Sequence, residues 1–432
     1  MSLEQNKEVQ DFLNAVCAQV KWREVHSQIK TELLGHIEDA VEEHLQHGGY
    51  TEQQAVANAL SQMGEPIGLG QQLHHTHKPR TNWPVVALAC ALLGIGVLTL
   101  YSIGVQGLVT HFTTAGLVYR TLIYAGIGLV VAVGLHYLDY RRLQYYGWYL
   151  YGATLALWLL VLVGGIQVNG YPYLHIGPFT VNYISITPFL LAVAVAAIFT
   201  RWRWDNIGWL KAVAVLMVPN MLYLATPSLI NVAIYNTVFL VLMLLSGANK
   251  WRQILPLAVG LVGTFFVFLF SSSYRLARFT SFINPHQEPA GSGYIYIQLS
   301  KVIKAAGLWG QGFTFPSATL PEVHTDFVLA YLIYTFGWAG GLIILALSAT
   351  LIWLMVKVAR EVRDPFGKML VGGLAVVFTF HFLWCVLMTV GLAPIMWVSL
   401  PFISYGGSQI IINMATVGLV LSVYRRKNLM TS

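Results

Sequence analysis

The sequence predicts an all-α fold: a polytopic membrane protein of about ten transmembrane helices, preceded by a small soluble helical bundle. Three observations carry that expectation. Of 432 residues, 56% are hydrophobic and only 10% are charged, whereas soluble domains average about 25% charged. Mean hydropathy is +0.63, and apolar runs of 18 or more residues recur from Pro84 to Val423, long enough to cross a bilayer as helices. Charge is also divided unevenly. Residues 1–82 hold 11 acids and six bases (net −5), and the remainder holds seven acids and 19 bases (net +12). An acidic head on a basic membrane body fits that division.

The same composition excludes other classes. Collagen-like, disordered and disulfide-stapled chains do not combine helical periodicity with so little charge. The three cysteines, Cys17, Cys90 and Cys385, share no disulfide or metal-ligand spacing and read as small buried hydrophobes. No nucleic-acid partner is expected despite a pI near 9.2, because the positive charge is dispersed among short inter-helix loops. Residues 1–20 contain Glu4, Glu8 and Asp11 and lack the apolar core of a signal peptide.

The head, residues 1–80, reads as a cytoplasmic bundle. Val9, Phe12, Leu13, Val16 and Val20 recur at helical spacing, as do Val25, Ile29, Leu33, Ile37, Val41 and Leu45. Gly48-Gly49 ends the second helix. Thr51 followed by Gln54 reads as a capping box opening a third, with Ala55, Val56, Ala59, Leu60 and Met63 inward. Gly64 and Pro66 close it and start a fourth. His74, His75 and His77 form a candidate metal cluster, but no carboxylate or cysteine completes a ligand set, so a solvated stretch is expected. In pattern and position the head resembles the small prefix domain ahead of permease-like membrane proteins of Gram-positive bacteria.

Ten apolar segments fill the membrane domain, residues 81–432: roughly 83–105, 116–137, 144–165, 183–200, 207–225, 228–247, 253–271, 326–357, 369–391 and 408–424. Loop charges test the layout independently. Lys78/Arg80, Arg141/Arg142, Arg201/Arg203, Lys250/Arg252, the Lys357–Lys368 cluster and Arg425/Arg426/Lys427 fall on one side, whereas loops 106–115, 166–182 and 392–407 hold no Lys or Arg. By the positive-inside rule both termini are expected in the cytoplasm. One outward loop, about 272–325, is long and carries Arg275, Arg278, Lys301 and Lys304 with Glu288, Glu322 and, at its edge, Asp326. Long loops in compact proteins are usually functional or disordered. This one is too rich in aromatic and apolar residues for disorder, and its charges suit an anionic, phosphorylated lipid headgroup.

Its motifs are specific. Tyr274-Arg275-Leu276-Ala277-Arg278-Phe279-Thr280-Ser281-Phe282-Ile283-Asn284-Pro285 opens the loop, and Glu288-Pro289-Ala290-Gly291-Ser292-Gly293-Tyr294 follows. Then come Gly307-Leu308-Trp309-Gly310-Gln311-Gly312-Phe313, Leu320-Pro321-Glu322-Val323-His324-Thr325-Asp326-Phe327 and, before the last span, Leu400-Pro401-Phe402-Ile403-Ser404-Tyr405-Gly406-Gly407-Ser408. With Asn169-Gly170 and ten spans, this order and spacing resemble the SEDS family (shape, elongation, division and sporulation; the FtsW, RodA and SpoVE type) over residues 83–427.

The resemblance implies a glycan polymerase of the bacterial plasma membrane using lipid II or a related polyprenyl-pyrophosphate sugar, paired with a class B penicillin-binding protein. It places Glu288 at the family's catalytic loop aspartate. Such chemistry needs a base near an attacking sugar hydroxyl and cations near a departing pyrophosphate. Arg275, Arg278, Lys301 and Lys304 are the candidate cations. Gln298, His324, Asp326, Ser404, Gly406, Gly407 and Ser408 complete the expected substrate-binding set, the paired glycines letting the backbone turn and approach a neighbour closely. No cofactor or resident metal is implied, and a divalent cation is compatible with the pyrophosphate.

The chain also departs from the family pattern. Glutamate at 288 adds a methylene, moving the carboxylate by roughly 1 Å, a misplacement able to cost about 100-fold. The family's Gln-Pro-Ser-Glu run reads Asn182-Tyr183-Ile184-Ser185, and its Gln-Pro-Asp-Leu-Gly-Thr run reads Thr226-Pro227-Ser228-Leu229-Ile230-Asn231. Tyr334 and Thr335 replace paired glutamates, and Ile295 replaces a glutamine. The first expectation is therefore a divergent peptidoglycan glycosyltransferase serving division, cell shape or sporulation. The alternative is a catalytically weak scaffold or regulator that binds a lipid-linked precursor or a division partner. A transporter fits less well, since transporters place polar groups at the midplane and the charges here lie at the outer surface.

Overall fold

The computed structural model describes all residues except 1–2, 47–49, 78–80, 110–112, 169–170, 178, 227, 271–272, 317–319 and 428–432, and except the side chains of 24, 28, 75–77, 168, 171, 176, 179, 250, 264, 267–268 and 274–275. The chain forms two units, Met1–Thr81 with Tyr424–Ser432, and Asn82–Val423.

In the first unit, α1 (Lys7–Gln19), α2 (His26–Gln46), α3 (Glu52–Gln62) and α4 (Pro66–His77) form a bundle. Its core runs from Val9, Leu13 and Val16 through Val25, Ile29 and Ile37 to Ala55 and Ala59. Leu45, expected inside, is exposed; it stands one residue before the end of α2, past Val41, the last residue of that helix in the bundle core. The capping box forms: Gln54 N–H donates to Thr51 Oγ1 (3.4 Å) and Thr51 N–H to Gln54 Oε1 (3.1 Å). Gly48-Gly49 lies outside the described residues.

In the second unit each expected apolar segment is one helix: α5 (Trp83–Val105), α6 (Thr114–Tyr137), then after the short α7 (Arg141–Tyr145), α8 (Gly147–Gly164), α9 (Tyr183–Phe199), α10 (Asn206–Ala225), α11 (Leu229–Leu245) and α12 (Leu255–Phe270). The loop helices α13 (Ser273–Ile283) and α14 (Tyr294–Ala305) precede the last three, α15 (Val328–Glu361), α16 (Pro365–Thr389) and α17 (Gly407–Arg425). Seven of these helices are long and apolar enough to cross a membrane; α9 and α11, at 17 residues each, are shorter apolar helices. Helix α9 is the centre, buried on every face from Leu191 to Phe199, as a helix hydrophobic all round should be. Cys90 is exposed, contrary to the sequence expectation, whereas Cys17 and Cys385 are buried; Cys90 simply falls on the outward face of α5.

Two segments expected to be irregular are ordered. Residues 166–182 form a small antiparallel sheet of order β1-β2-β3, with β1 (Ile166–Val168), β2 (Tyr171–Ile176) and β3 (Phe179–Val181). Its strands of three to six residues are too short for a period-2 signal to stand out. The long loop is largely helical, as α13 and α14.

Helix α15 is broken near its start, at Gly337. Gly337 has φ 72° and ψ 179°, and the freed backbone groups pair with the Gly307–Gly312 loop. Trp338 and Ala339 N–H donate to the carbonyls of Gly307 and Leu308 (3.1 Å each), while Gln311 and Gly312 N–H donate to Tyr334 and Thr335 (2.8 and 3.1 Å). A Cβ on Gly337 would overlap the Leu308 carbonyl and the Gly310 nitrogen, and one on Gly310 would overlap the Thr335 carbonyl. Only two glycines let these strands of backbone cross.

A graded series tests this crossing. Gly312 also has positive φ (70°) but open space around it, so Gly312→Ala should cost only about 1–2 kcal/mol of left-handed strain. Gly337→Ala should cost more and lower the thermal midpoint in detergent well below that of Gly312→Ala. Equal midpoints would show that the crossing tolerates a side chain.

Candidate functional site

Glu288 sits in a turn built by its neighbours. Helix α13 ends at Ile283, a short 3-10 turn covers Pro285–Gln287, and α14 begins at Tyr294. The Glu288 carbonyl accepts the N–H groups of Gly291 and Gly293, both at 3.1 Å. A Cβ on Gly293 would overlap the Pro285 carbonyl, so the turn closes only with glycine there. The Glu288 side chain is exposed. Its one hydrogen-bond partner among the described residues is Ser292, whose hydroxyl donates to Oε2 at 2.8 Å; Ser292 in turn touches the Ser281 hydroxyl.

The predicted cations are not paired with that carboxylate among the described residues. Arg278 lies close enough to Tyr296 for its charge to favour the phenolate there, against a stronger upward push from burial. Lys301 and Lys304 are exposed on α14, and Gln298 on the same helix is half-buried. The Arg275 side chain lies outside the described residues. Helix α14 is tied to the 390s loop by Tyr296, whose hydroxyl accepts the Ile395 N–H at 3.0 Å.

A second group forms where the 320s turn meets the approach to α17. Glu322 has positive φ (52°), and its carbonyl accepts from Thr325 and Asp326, both at 3.1 Å. His324 Nε2 lies 3.7 Å from Glu322 Oε2, its carbonyl accepts the Tyr405 N–H at 2.8 Å, and its ring packs on Tyr405. The Tyr405 hydroxyl is hydrogen-bonded by Arg120 of α6 and lies near Tyr124, with burial as the main influence raising its pKa. Gly407 packs directly on the Tyr124 ring. Ser404 is buried, with its hydroxyl accepting the Leu400 N–H at 2.9 Å, and Ser408 stands half-buried in the first turn of α17.

The glycine pair works differently from the sequence expectation. Neither Gly406 nor Gly407 has positive φ; Phe402 does (67°). What Gly407 supplies is closeness to α6, and the backbone turns earlier. Arg120 was missed by sequence reasoning. The available signal was a lone base inside an apolar span, which is costly and usually has a specific partner. The metal candidate does not assemble among the described residues: His74 Nδ1 accepts the Lys21 N–H at 3.4 Å, the side chains of His75 and His77 lie outside them, and no cluster of three metal-ligating side chains occurs. Asn169-Gly170 also lies outside them.

Several departures from the family pattern have structural uses. Asn182 caps α9, its Oδ1 accepting the Ser185 N–H at 3.2 Å. Asn231 donates to Ser228 Oγ at 2.7 Å. Tyr334 packs against Phe315, and its carbonyl and that of Thr335 accept the loop crossing described above.

Asp326 is the buried acid of this group, 8% exposed. Burial, and secondarily the charge of Glu322, push its pKa up to about 8. An acid raised in this way stabilises the fold while protonated; that stabilisation is complete below its ordinary range of about 4 and is lost as pH rises through about 8. Asp326→Asn keeps the neutral form. Its thermal midpoint should therefore gain on the parent's as pH is raised from about 5 to 9. Parallel pH profiles would show that the carboxyl is not held neutral.

The comparisons with known proteins agree with one another. The model of the FtsW/RodA/SpoVE family, described as a cell cycle protein, matches residues 83–429. A probable peptidoglycan glycosyltransferase FtsW of Trichlorobacter lovleyi is 30% identical over 353 residues, 78% of this chain and 92% of the relative. The stage V sporulation protein E of Bacillus subtilis is 27% identical, covering 81% and 98%. A solved chain from a study of polymerisation and crosslinking by a peptidoglycan synthase complex superposes with a TM-score of 0.68 at 25% identity, covering 81% of this chain and 98% of that one. The match runs through all ten apolar helices and the long loop between α12 and α15, and the chain belongs to the FtsW/RodA/SpoVE family of membrane proteins.

Proposed function

We propose that this protein polymerises peptidoglycan glycan from lipid II at the outer face of a bacterial plasma membrane, in division, cell shape or sporulation. Glu288 is the general base that takes the proton of the attacking sugar hydroxyl. The observation that carries this reading is the Glu288 carboxylate itself: exposed, held by a glycine-closed turn, and unpaired with any described cation. The turn fixes the direction of that carboxylate. Arg278, Lys301 and Lys304 sit on the two helices flanking that turn, where they can neutralise a departing pyrophosphate. Arg120, Tyr405 and His324 line the neighbouring group, with Asp326 as a neutral proton donor beneath them. The relatives' names as peptidoglycan glycosyltransferases support the reaction class. The similarity to a chain of a peptidoglycan synthase complex supports a penicillin-binding protein as partner.

One observation favours the scaffold reading. The Ser292 hydroxyl occupies one carboxylate oxygen of Glu288, as it would if that side chain served only to brace the turn.

Substitution at 288 separates the two readings. In polymerisation of lipid II by purified protein with its penicillin-binding partner, Glu288→Gln should lose about 100-fold or more, the usual contribution of a general base. Glu288→Asp should retain activity, since it restores the residue the family uses. Parental activity of Glu288→Gln would leave only the scaffold. Orientation is tested separately: a reporter after Ser432 should be cytoplasmic and a tag after Thr314 accessible from outside, and an external C-terminus would reverse the topology.

A further inference from the structure

On the flank of the membrane unit, α10, α11 and α12 do not close on one another. They leave a groove of about 270 Å³ lined by apolar side chains such as Met217, Leu240, Leu261 and Phe265. Three polar side chains interrupt that lining, Asn220 of α10 and Asn236 and Thr237 of α11; the Thr237 hydroxyl is used within its own helix, donating to the Ala233 carbonyl at 2.8 Å. Asn220 is only 7% exposed. Its amide nitrogen is fully used, donating to the Leu216 carbonyl (2.9 Å) and to Asn236 Oδ1 (2.9 Å). Among the described residues nothing donates to Asn220 Oδ1, and Asn236 Nδ2 donates to nothing. One acceptor and one donor therefore stand side by side in an apolar groove.

Their depth makes this costly. Asn220 lies five residues before the end of α10, and Asn236 seven residues after the start of α11. At 1.5 Å per residue that is roughly 8–10 Å inside the helix ends, in the hydrocarbon region, where water is not at hand to satisfy polar groups. An acyl or polyprenyl chain carries neither donor nor acceptor at that depth and would leave both groups unmet. A side-chain carboxamide carries one of each in a single plane and matches the pair. The groove is too small for the body of a helix, about 10 Å across, but it accepts the side-chain ridge of one lying against it.

We propose that the groove between α10, α11 and α12 docks a single transmembrane helix of another protein, recognised by an Asn or Gln side chain at the depth of Asn220 and Asn236. The interaction is independent of the glycan chemistry proposed above.

The test uses the full-length protein in phospholipid vesicles and two labelled leucine-based transmembrane peptides, one with a single Gln about 9 Å inside its outer end and one with leucine throughout. Energy transfer at high dilution reports binding. The Gln peptide should bind the parent at least about threefold more tightly, the scale of a hydrogen bond between membrane helices. Asn236→Leu should remove that preference, and Ala233→Phe, which fills the groove and leaves both amides, should weaken binding of the Gln peptide. Both variants are compared only as monodisperse protein with parental helicity. Equal binding of the two peptides to the parent would overturn the proposal. So would transfer between two differently labelled populations of the protein that disappears in Asn236→Leu, which would assign the groove to self-association.

Discussion

The long loop and the residues around it depend on one crossing of backbone on backbone, at the break in α15. A membrane helix that loses its internal hydrogen bonds must find replacements within the protein, because lipid offers none. Here the replacements come from Gly307–Gly312, through four hydrogen bonds across Gly337, and they fix where the long outer loop returns to the membrane unit. The start of α15, from Val328 to Ile333, is buried at every residue. The acid turn at 320–327 is thereby held against the approach to α17, where His324 meets Tyr405. Gln106, just past the end of α5, adds to the same anchorage: its amide nitrogen donates to the Tyr331 hydroxyl (2.6 Å), and its side-chain oxygen accepts the Phe315 N–H (3.3 Å).

Around this anchor the ionisable groups are sorted by environment. Glu288 is left exposed on a glycine-closed turn. Asp326 is enclosed beneath a neighbouring acid, where ionisation is penalised. The cations follow a similar division. Lys301 and Lys304 remain exposed on α14, whereas Arg120 is drawn to Tyr405 from within a span.

The departures from the family pattern have a common character. Where acids and glutamines are missing, the residues present are used locally, as a helix cap at Asn182, a turn contact at Asn231 and an aromatic contact at Tyr334. The membrane unit thus contains fewer ionisable groups that need a specific partner, and Glu288 carries correspondingly more of the proposed chemistry. The Asn220–Asn236 pair is a polar contact left half-satisfied within the spans, in an apolar groove.

The sequence by itself determined the order of elements. Ten apolar segments became ten helices within a few residues of their expected ends, because a hydrophobic run of span length has one stable form in a bilayer. The capping box at Thr51 and Gln54 was equally legible, since both partners lie within one turn. The glycines that close the Glu288–Gly293 turn also stand in the sequence itself, because such a turn is local and depends on where glycine stands. Tertiary structure alone decided what meets what. It put Arg120 beside Tyr405, Gly310 against Gly337 and Asp326 out of water, and it left Glu288 unpaired among the described residues although four basic residues share its loop. Those outcomes depend on contacts between residues far apart in the chain, and periodicity carries no information about the partner a side chain finds across a packed interface.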